Sequence, residues 1–556
     1  MASFVPRAYC LLIASILFGG MISTAGAEVR MPAIFGDHMV LQEQAKLPIW
    51  GFASPGETVR VTFRDQTKTT VCSQDGTWRV DLEPVAEVRD GATLTIAGKK
   101  NKLVFNDVLV GDVWITSGQS NMEFGIQTDK RGQEAISTAN DPELRFFFVP
   151  WATALQPKSD VGPITPASQL NGKWIVCSPS VLSANWAWHG FSAVGYYFAR
   201  DIRQATGHPV GMIATYKGGT PAQAWTSISG LQQEAALAHY VDDHQKILDD
   251  LTTAEAAYPK KHADYELMMK AWQEAKKRDP TLAANTAPKD ATSPDGGYSA
   301  PANLFNGMVA PLIPYAIKGV IWYQGESNGN NVDQGVEYNV LFPRMISDWR
   351  DKWGQGDFPF LFVQLPNINA LAKVPSEGNW PWVREAQLKA SMLPNAGMAV
   401  AIDLGEAENL HPTDKLYVGK RLALVGLHVA YGQSVAYSGP IYDSMKIEGE
   451  KIRLSFKNVG RGLRIGVPPP DPDGKQPATP QDLTGFGIAG EDGNFVWAKA
   501  TLDGDTVVVS ADEVDHPVAV RYDWGQNPSG DLYNQDNLPA SPFRTDDWQP
   551  PLTPKK

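Results

Sequence analysis

Five apolar runs, each stopping at a glycine or polar turn, dictate the architecture of the middle of this chain. In order they are "VLVGDVWITSG", "PVGMIATYKGG", "KGVIWYQGES", "FPFLFVQLPN" and "GMAVAIDLG". Each is followed, after a loop, by a segment able to form a helix. Strands that alternate with helices pair in parallel, and the resulting sheet is covered on both faces. Open sheets of this kind hold their ligands beyond the carboxyl ends of the strands. The expectation is an α/β, three-layer α/β/α domain with a five-stranded parallel sheet over residues 107–435, carrying its site at the strand ends.

The flanking regions have a different rhythm. Residues 28–106 alternate apolar and polar side chains between turn signals such as Pro55-Gly56 and Asp75-Gly76, the pattern of an N-terminal β-sandwich. Alternating strands return over residues 436–556, which read as a C-terminal β-rich domain. Between the second and third runs, residues 227–300 form an insertion. Its charged, Ala-rich part ("EAALAHYVDDHQKILDDLTTAEAAY", "DYELMMKAWQEAKK") reads as two helices, and its tail ("APKDATSPDGGYSAP") as a mobile loop. Such an insertion is either a lid or a solvated surface excursion.

Residues 1–27 read as a signal peptide. Arg7 is the one charge, Ala8 to Ile22 is mostly apolar, and Ala25-Gly26-Ala27 supplies a small-residue cleavage site. The run is too short to span a bilayer comfortably, so the mature protein is expected to be exported and free of the membrane. A net charge of -12 argues against nucleic-acid binding, which needs a basic footprint. Seventeen Trp and seventeen Tyr suit either a sugar-stacking surface or core packing. Of three cysteines, Cys10 lies in the signal; Cys72 and Cys177 either pair or are separate buried thiols. No Cys/His cluster has zinc spacing, and no metal is expected.

The first apolar run ends in "WITSGQSNMEFGI", which presents Ser120 on a strand-to-helix turn. A serine there is either a helix N-cap or a nucleophile whose neighbouring amides face an oxyanion. The second run ends at Gly218 and Gly219, which allow close approach of backbone to a ligand or form a plain turn. The third places Gln324, Glu326 and Asn328 at the same sheet edge. The fifth is followed by "DLGEAENLHPTDK", with His411 just before a helix start. Serine, then acid, then histidine is a chain order that suits a serine-type hydrolase.

Taken together and in order, "GQSNM", "GGT", "IWYQGESN" and "DLG…HP" resemble the four blocks of the SGNH (GDSL-like) hydrolases. More narrowly they resemble the sialate O-acetylesterase branch of the carbohydrate acetylesterases, with "ANLFNGMVAPLIPYAIKGVIWYQGESN" especially similar. The resemblance implies a flavodoxin-like SGNH domain and a cofactor-free acyl-enzyme route on an acetylated sugar or polysaccharide. In that scheme Ser120 is the nucleophile and His411 the base. The oxyanion donors are the Ser120 amide, the Gly218 amide (or that of Gly219) and the Gln324 side chain. Glu326 and Asn328 brace the loop or touch the sugar, and Glu326 is alternatively the acid.

One position departs from the family pattern. Many SGNH enzymes carry Asp three residues before the His, where this chain has Glu408. Three arrangements therefore stand open: Glu408 orients His411, Asp403 reaches across, or a Ser-His dyad is oriented by a backbone carbonyl. Trp186, Trp188 and His189 form either an aromatic sugar platform or core. Arg384 is either a partner for a substrate carboxylate or a surface or helix-capping arginine. The substrate is an O-acetylated sialic acid or, alternatively, acetylated xylan or xyloglucan. A non-catalytic sugar-binding protein is a further reading, and a nucleotide binder is disfavoured because the Gly-Gly turn lacks P-loop spacing.

Overall fold

The structure, a computed structural model, describes residues 28–162, 170–184, 188–282, 286–288, 292–375, 377–528 and 530–552. The expected signal peptide and Trp186 lie outside these. The N-terminal unit is built of strands β1 (Val40–Gln42), β2 (Leu47–Phe52), β3 (Thr58–Phe63), β4 (Gln66–Val71), β5 (Thr77–Leu82), β6 (Val88–Ala97) and β7 (Lys102–Gly118). Period-two alternation explains its packing. Strand β3 buries Val59, Val61 and Phe63 while Thr58 and Arg60 face solvent, and β5 likewise buries Trp78, Val80 and Leu82. Strands β2 and β5 pair with each other; β3, β4, β6 and β7 form a second, antiparallel set.

Strand β7 is 17 residues long and belongs to two structures at once. Its first part pairs antiparallel with β6, and from Asp112 onward it lies at the centre of the parallel sheet. The expected boundary at 106/107 therefore falls inside a continuous strand. The other strands are β8 (Asp141–Phe148), β9 (Trp174–Cys177), β10 (Val210–Tyr216), β11 (Gly319–Tyr323), β12 (Phe360–Gln364) and β13 (Ala396–Val400). Their order is β13-β12-β11-β7-β10-β8-β9. Six of these strands run parallel, not the expected five, and β9 closes the edge antiparallel to β8. The extra strand, "DPELRFFF", escapes an apolar-run criterion because its first three residues are not buried.

Strand parity sends side chains to opposite faces. Trp114 meets Phe198 of helix Ala193–Thr206, with ring centroids 5.0 Å apart. Trp322 stands in register with Ser117, three residues on from Trp114, and so faces the other way. There it packs against Phe342 and Trp349 of helix Val332–Trp353. The sheet is thus covered on both sides, as parallel sheets require.

The insertion departs from expectation. In place of two helices, its charged, Ala-rich part forms a single long helix, Ala238–Arg278, of 41 residues, which continues through Pro259 although that residue leaves the Glu255 carbonyl without its usual N–H. Only Tyr240 and His244 of this helix are buried. Within the C-terminal part, two four-stranded antiparallel sheets enclose a separate core around Ile452, Leu454, Phe486, Val507 and Tyr522. Cys72 and Cys177 are both buried and unpaired. No helix among the described residues is long and apolar enough to cross a membrane.

Candidate active site

Strand β7 ends at Gly118, whose φ of +137° and close approach to Tyr323 exclude a side chain: a Cβ would lie 2.2 Å from the Tyr323 carbonyl oxygen. This turn lifts Ser120 to the first position of a short helix, Ser120–Glu123, at the carboxyl edge of the sheet. Ser120 is not the N-cap; Gln119 holds that position. His411, brought in by the loop after β13, places Nε2 2.9 Å from Ser120 Oγ. Trp188 packs against the imidazole in a T-shaped contact, with centroids 4.7 Å apart. His189, its neighbour, is exposed.

None of the acids weighed from the sequence orients this histidine. Glu408 is exposed and makes no hydrogen bond or ion pair among the described residues. Asp403 is buried and committed elsewhere: its two oxygens accept from Arg421 at 2.5 and 2.7 Å and from the Tyr533 hydroxyl at 2.8 Å. His411 Nδ1 has no hydrogen-bond partner among the described residues. The loop is shaped instead by Glu406, which accepts from the Thr413 N–H at 2.8 Å, the Thr413 hydroxyl at 2.7 Å and the Asn409 amide at 2.9 Å. Asn409 Oδ1 in turn accepts from the His411 N–H at 3.0 Å.

The expected oxyanion donors divide. The Ser120 and Gly219 N–H groups make no hydrogen bond among the described residues. The Gly218 N–H donates to Glu123 Oε2 at 2.5 Å. Gly218 lies against the nucleophile, where a Cβ would be 3.3 Å from Ser120 Cβ and 3.1 Å from Glu123 Oε2. Gln324 does not fill the role expected of it. It is fully buried, its amide donates to Asn328 Oδ1 at 2.7 Å and to the Thr220 carbonyl at 3.3 Å, and its oxygen accepts from Tyr338 at 2.8 Å.

Glu326 and Asn328 brace rather than face the cleft. Asn328 Oδ1 also accepts from the Ala222 N–H at 2.9 Å, and its Nδ2 donates to Gln223 at 3.1 Å. Glu326 Oε1 accepts from Asn121 Nδ2 at 2.6 Å while Oε2 is buried without a partner among the described residues. Arg384 is neither a surface side chain nor turned to the cleft: it is fully buried, and its guanidinium donates to the carbonyls of Leu365, Pro366, Gly525 and Gln526.

Sequence reasoning passed over a buried polar cluster beneath Ser120. Lys415 is fully buried and donates from Nζ to Asn121 Oδ1 at 2.5 Å, and Asn121 also donates to the Leu410 carbonyl. Asn121 thereby ties the serine turn to the histidine loop. Burial pushes the Lys415 ammonium down to about 7 against the opposing pull of Glu326 and Asp129. The His411 imidazole is lowered by burial and then by the Lys415 charge, which keeps it a neutral base near neutral pH. Burial raises Glu123 and Glu326. Both missed residues sit inside quoted motifs, Asn121 in "GQSNM" and Lys415 in "HPTDK"; what the string lacks is their burial.

Ligand atoms of Glu43, Asp112 and His208 lie within 4.8 Å of one another where β7 enters the parallel sheet at Asp112, the sheet edge away from Ser120. Lys318 stands 3.4 Å from Asp112 Oδ1, and Tyr431 donates to Oδ2 at 2.8 Å. With His208 Nδ1 2.9 Å from Glu43 and 3.1 Å from Asp112, these side chains already pair with one another, and the cluster is a structural ion network.

A serine hydroxyl within hydrogen-bond reach of a neutral imidazole, beside unpaired amide hydrogens, is equipped for acyl transfer. Known proteins agree in kind. The family model for a carbohydrate esterase, sialic acid-specific acetylesterase, matches residues 298–427. The sialate O-acetylesterase of Pongo abelii is 30% identical over 473 residues, covering 78% of this chain and 77% of that protein. That of Mus musculus is 29% identical over 577 residues, covering 96% and 97%. Among solved structures, a carbohydrate acetylesterase from Xanthomonas citri superposes with a TM-score of 0.74 at 34% identity, covering 94% of this chain and 100% of that one.

Proposed function

Since the chain belongs to the sialate O-acetylesterase family, we propose that it is an exported carbohydrate O-acetylesterase working through a Ser120–His411 acyl-enzyme. It is a carboxylic ester hydrolase. The observation that carries the mechanism is the 2.9 Å contact between His411 Nε2 and Ser120 Oγ. His411 takes the Ser120 proton as Oγ attacks the acetyl carbonyl carbon. The carbonyl oxygen gains negative charge, and the free Ser120 and Gly219 N–H groups are the donors available to it. Collapse breaks the bond to the sugar oxygen, which leaves as an alcohol after taking the proton from His411. Water, deprotonated by the same imidazole, then attacks the acetyl-enzyme, and Ser120 recovers its proton as acetate departs.

Among the described residues neither an acid nor the expected backbone carbonyl meets His411 Nδ1, which favours a dyad over a triad. Trp188 against one edge of the ring and the Asn409 and Asn121 contacts to the loop hold the imidazole in place. Export rests on residues 1–27 and their small-residue cleavage pattern.

The test is acetate release from O-acetylated sialic acid, acetylated xylan and acetylated xyloglucan oligomers by wild type and Ser120→Ala. The variant is expected to lose about 10⁴-fold or more of kcat. Equal rates in the two proteins overturn the nucleophile assignment, and failure on all three substrates overturns the carbohydrate reading.

A further inference from the structure

A second cleft lies between the C-terminal β region and the loop that follows β12. Two adjoining cavities of about 360 and 250 Å³ share a wall made by Gly485, Trp497 and Trp524, and the larger falls within the range of about 300–1,000 Å³ of small-molecule sites. Trp497 is 45% exposed, a large apolar surface left to water. Its ring is nonetheless fixed, because Nε1 donates to the Lys373 carbonyl at 3.0 Å. Trp524 beside it is held by a T-shaped contact with Trp382 at 5.1 Å and by the Arg521 guanidinium 5.2 Å from its ring. Trp497 is thus a pre-oriented indole open to a concave space backed by the largely buried Trp524, so docking a flat ligand face on it costs little side-chain freedom.

The charges on this wall select the ligand. Arg521 is spent on Glu377 and on Asp546 at 2.8 Å. The Asp523 carboxyl is held well above the ordinary range by burial and by Asp531, and it accepts from the Gly530 N–H at 3.1 Å. An anion finds no uncommitted cation among the described lining residues. A neutral ring with an apolar C–H face and a hydroxyl rim matches indole stacking.

The cleft is also tied to the catalytic edge. Leu371 and Ala372 of its wall belong to the segment whose Asn369 N–H donates to the Ala407 carbonyl at 2.8 Å. Asn367 of the same segment accepts from the Gly405 N–H at 2.7 Å. Ala407 and Gly405 lie in the loop that carries His411.

We propose that this Trp497–Trp524 cleft binds a neutral pyranose unit of an oligo- or polysaccharide whose acetylated residue occupies the Ser120–His411 centre. The inference rests on the carbohydrate reading above and narrows it toward neutral polymers. The test titrates the full-length Ser120→Ala protein with acetyl-free xylohexaose and cellohexaose, following tryptophan fluorescence and heat. At least one is expected to bind, Trp497→Ala to weaken it about tenfold or more, and Trp497→Phe, which keeps a ring, to retain most of the affinity. On the Ser120 background, Trp497→Ala is expected to raise KM for acetylated xylan or xyloglucan without changing kcat/KM for 4-nitrophenyl acetate. Binding of neither oligosaccharide, or affinities and KM values indifferent to Trp497→Ala, overturns the proposal. Loss of the carbohydrate reading shows separately, as cleavage of 4-nitrophenyl acetate without release from any acetylated sugar.

Discussion

Glu408→Ala is expected to leave kcat/KM for a chromogenic acetate ester within about two- to threefold of wild type. The side chain is exposed and joins no hydrogen bond or ion pair among the described residues. Removing such a group shifts energies by about 0.5 kcal/mol or less. A factor of ten in rate corresponds to about 1.36 kcal/mol, so 0.5 kcal/mol is roughly a 2.3-fold change. An acid that orients the imidazole of a serine triad is worth about 10⁴ in kcat. The two cases differ by more than three decades, far beyond assay error. Initial rates of 4-nitrophenol release, measured across the neutral range and accompanied by a thermal melt, decide between them. A fall of more than about 100-fold, with unchanged stability, refutes the dyad and returns Glu408 to the catalytic centre.

Two further outcomes follow from the buried charges. Asp403→Ala strands the Arg421 guanidinium with the Val400 carbonyl as its remaining acceptor, and a broken buried pair costs about 3–5 kcal/mol; urea unfolding is expected to show that loss while kcat below the transition stays near wild type, and the opposite pattern gives Asp403 a direct role in the site. Lys415→Met probes linkage. The folded-state value of Lys415 is about 7 against 10.5 unperturbed. The unfolded chain therefore binds more protons in that window, and stability rises with pH across it. The variant is expected to flatten this rise in pH-dependent unfolding. Removing the cation also lifts the His411 pKa and moves the acidic limb of kcat/KM to higher pH; an unmoved limb and an unchanged slope refute the linkage.

Much of the fold was readable because the signals are local. Apolar runs ending at Gly or polar turns mark β7, β10, β11, β12 and β13, and the juxtaposition of Ser120 and His411 follows from their places at strand ends. Strand β8 was not readable, since its amino-terminal residues are polar and partly solvent-facing. Pro259 argues for a break that the chain does not make. Arg384 and Asp403 illustrate the deeper limit. Their partners, Gly525 and Tyr533, lie 141 and 130 residues away, and no spacing rule announces such contacts. Gln324 stands at the expected sheet edge, yet its rotamer is set by Asn328, Thr220 and Tyr338. Position along the chain gives the neighbourhood of a side chain; packing gives its direction.

Strand β7 acts as a girder, about 55 Å long at ~3.3 Å per residue, with the N-terminal strands clamped to one end and the nucleophile's turn at the other. A cut at residue 106 would sever that beam and strip β6 from what is left of it. The N-terminal unit is therefore part of the chassis that aims the serine, and a truncated enzyme beginning at 107 would start with a frayed central strand rather than a trimmed appendage.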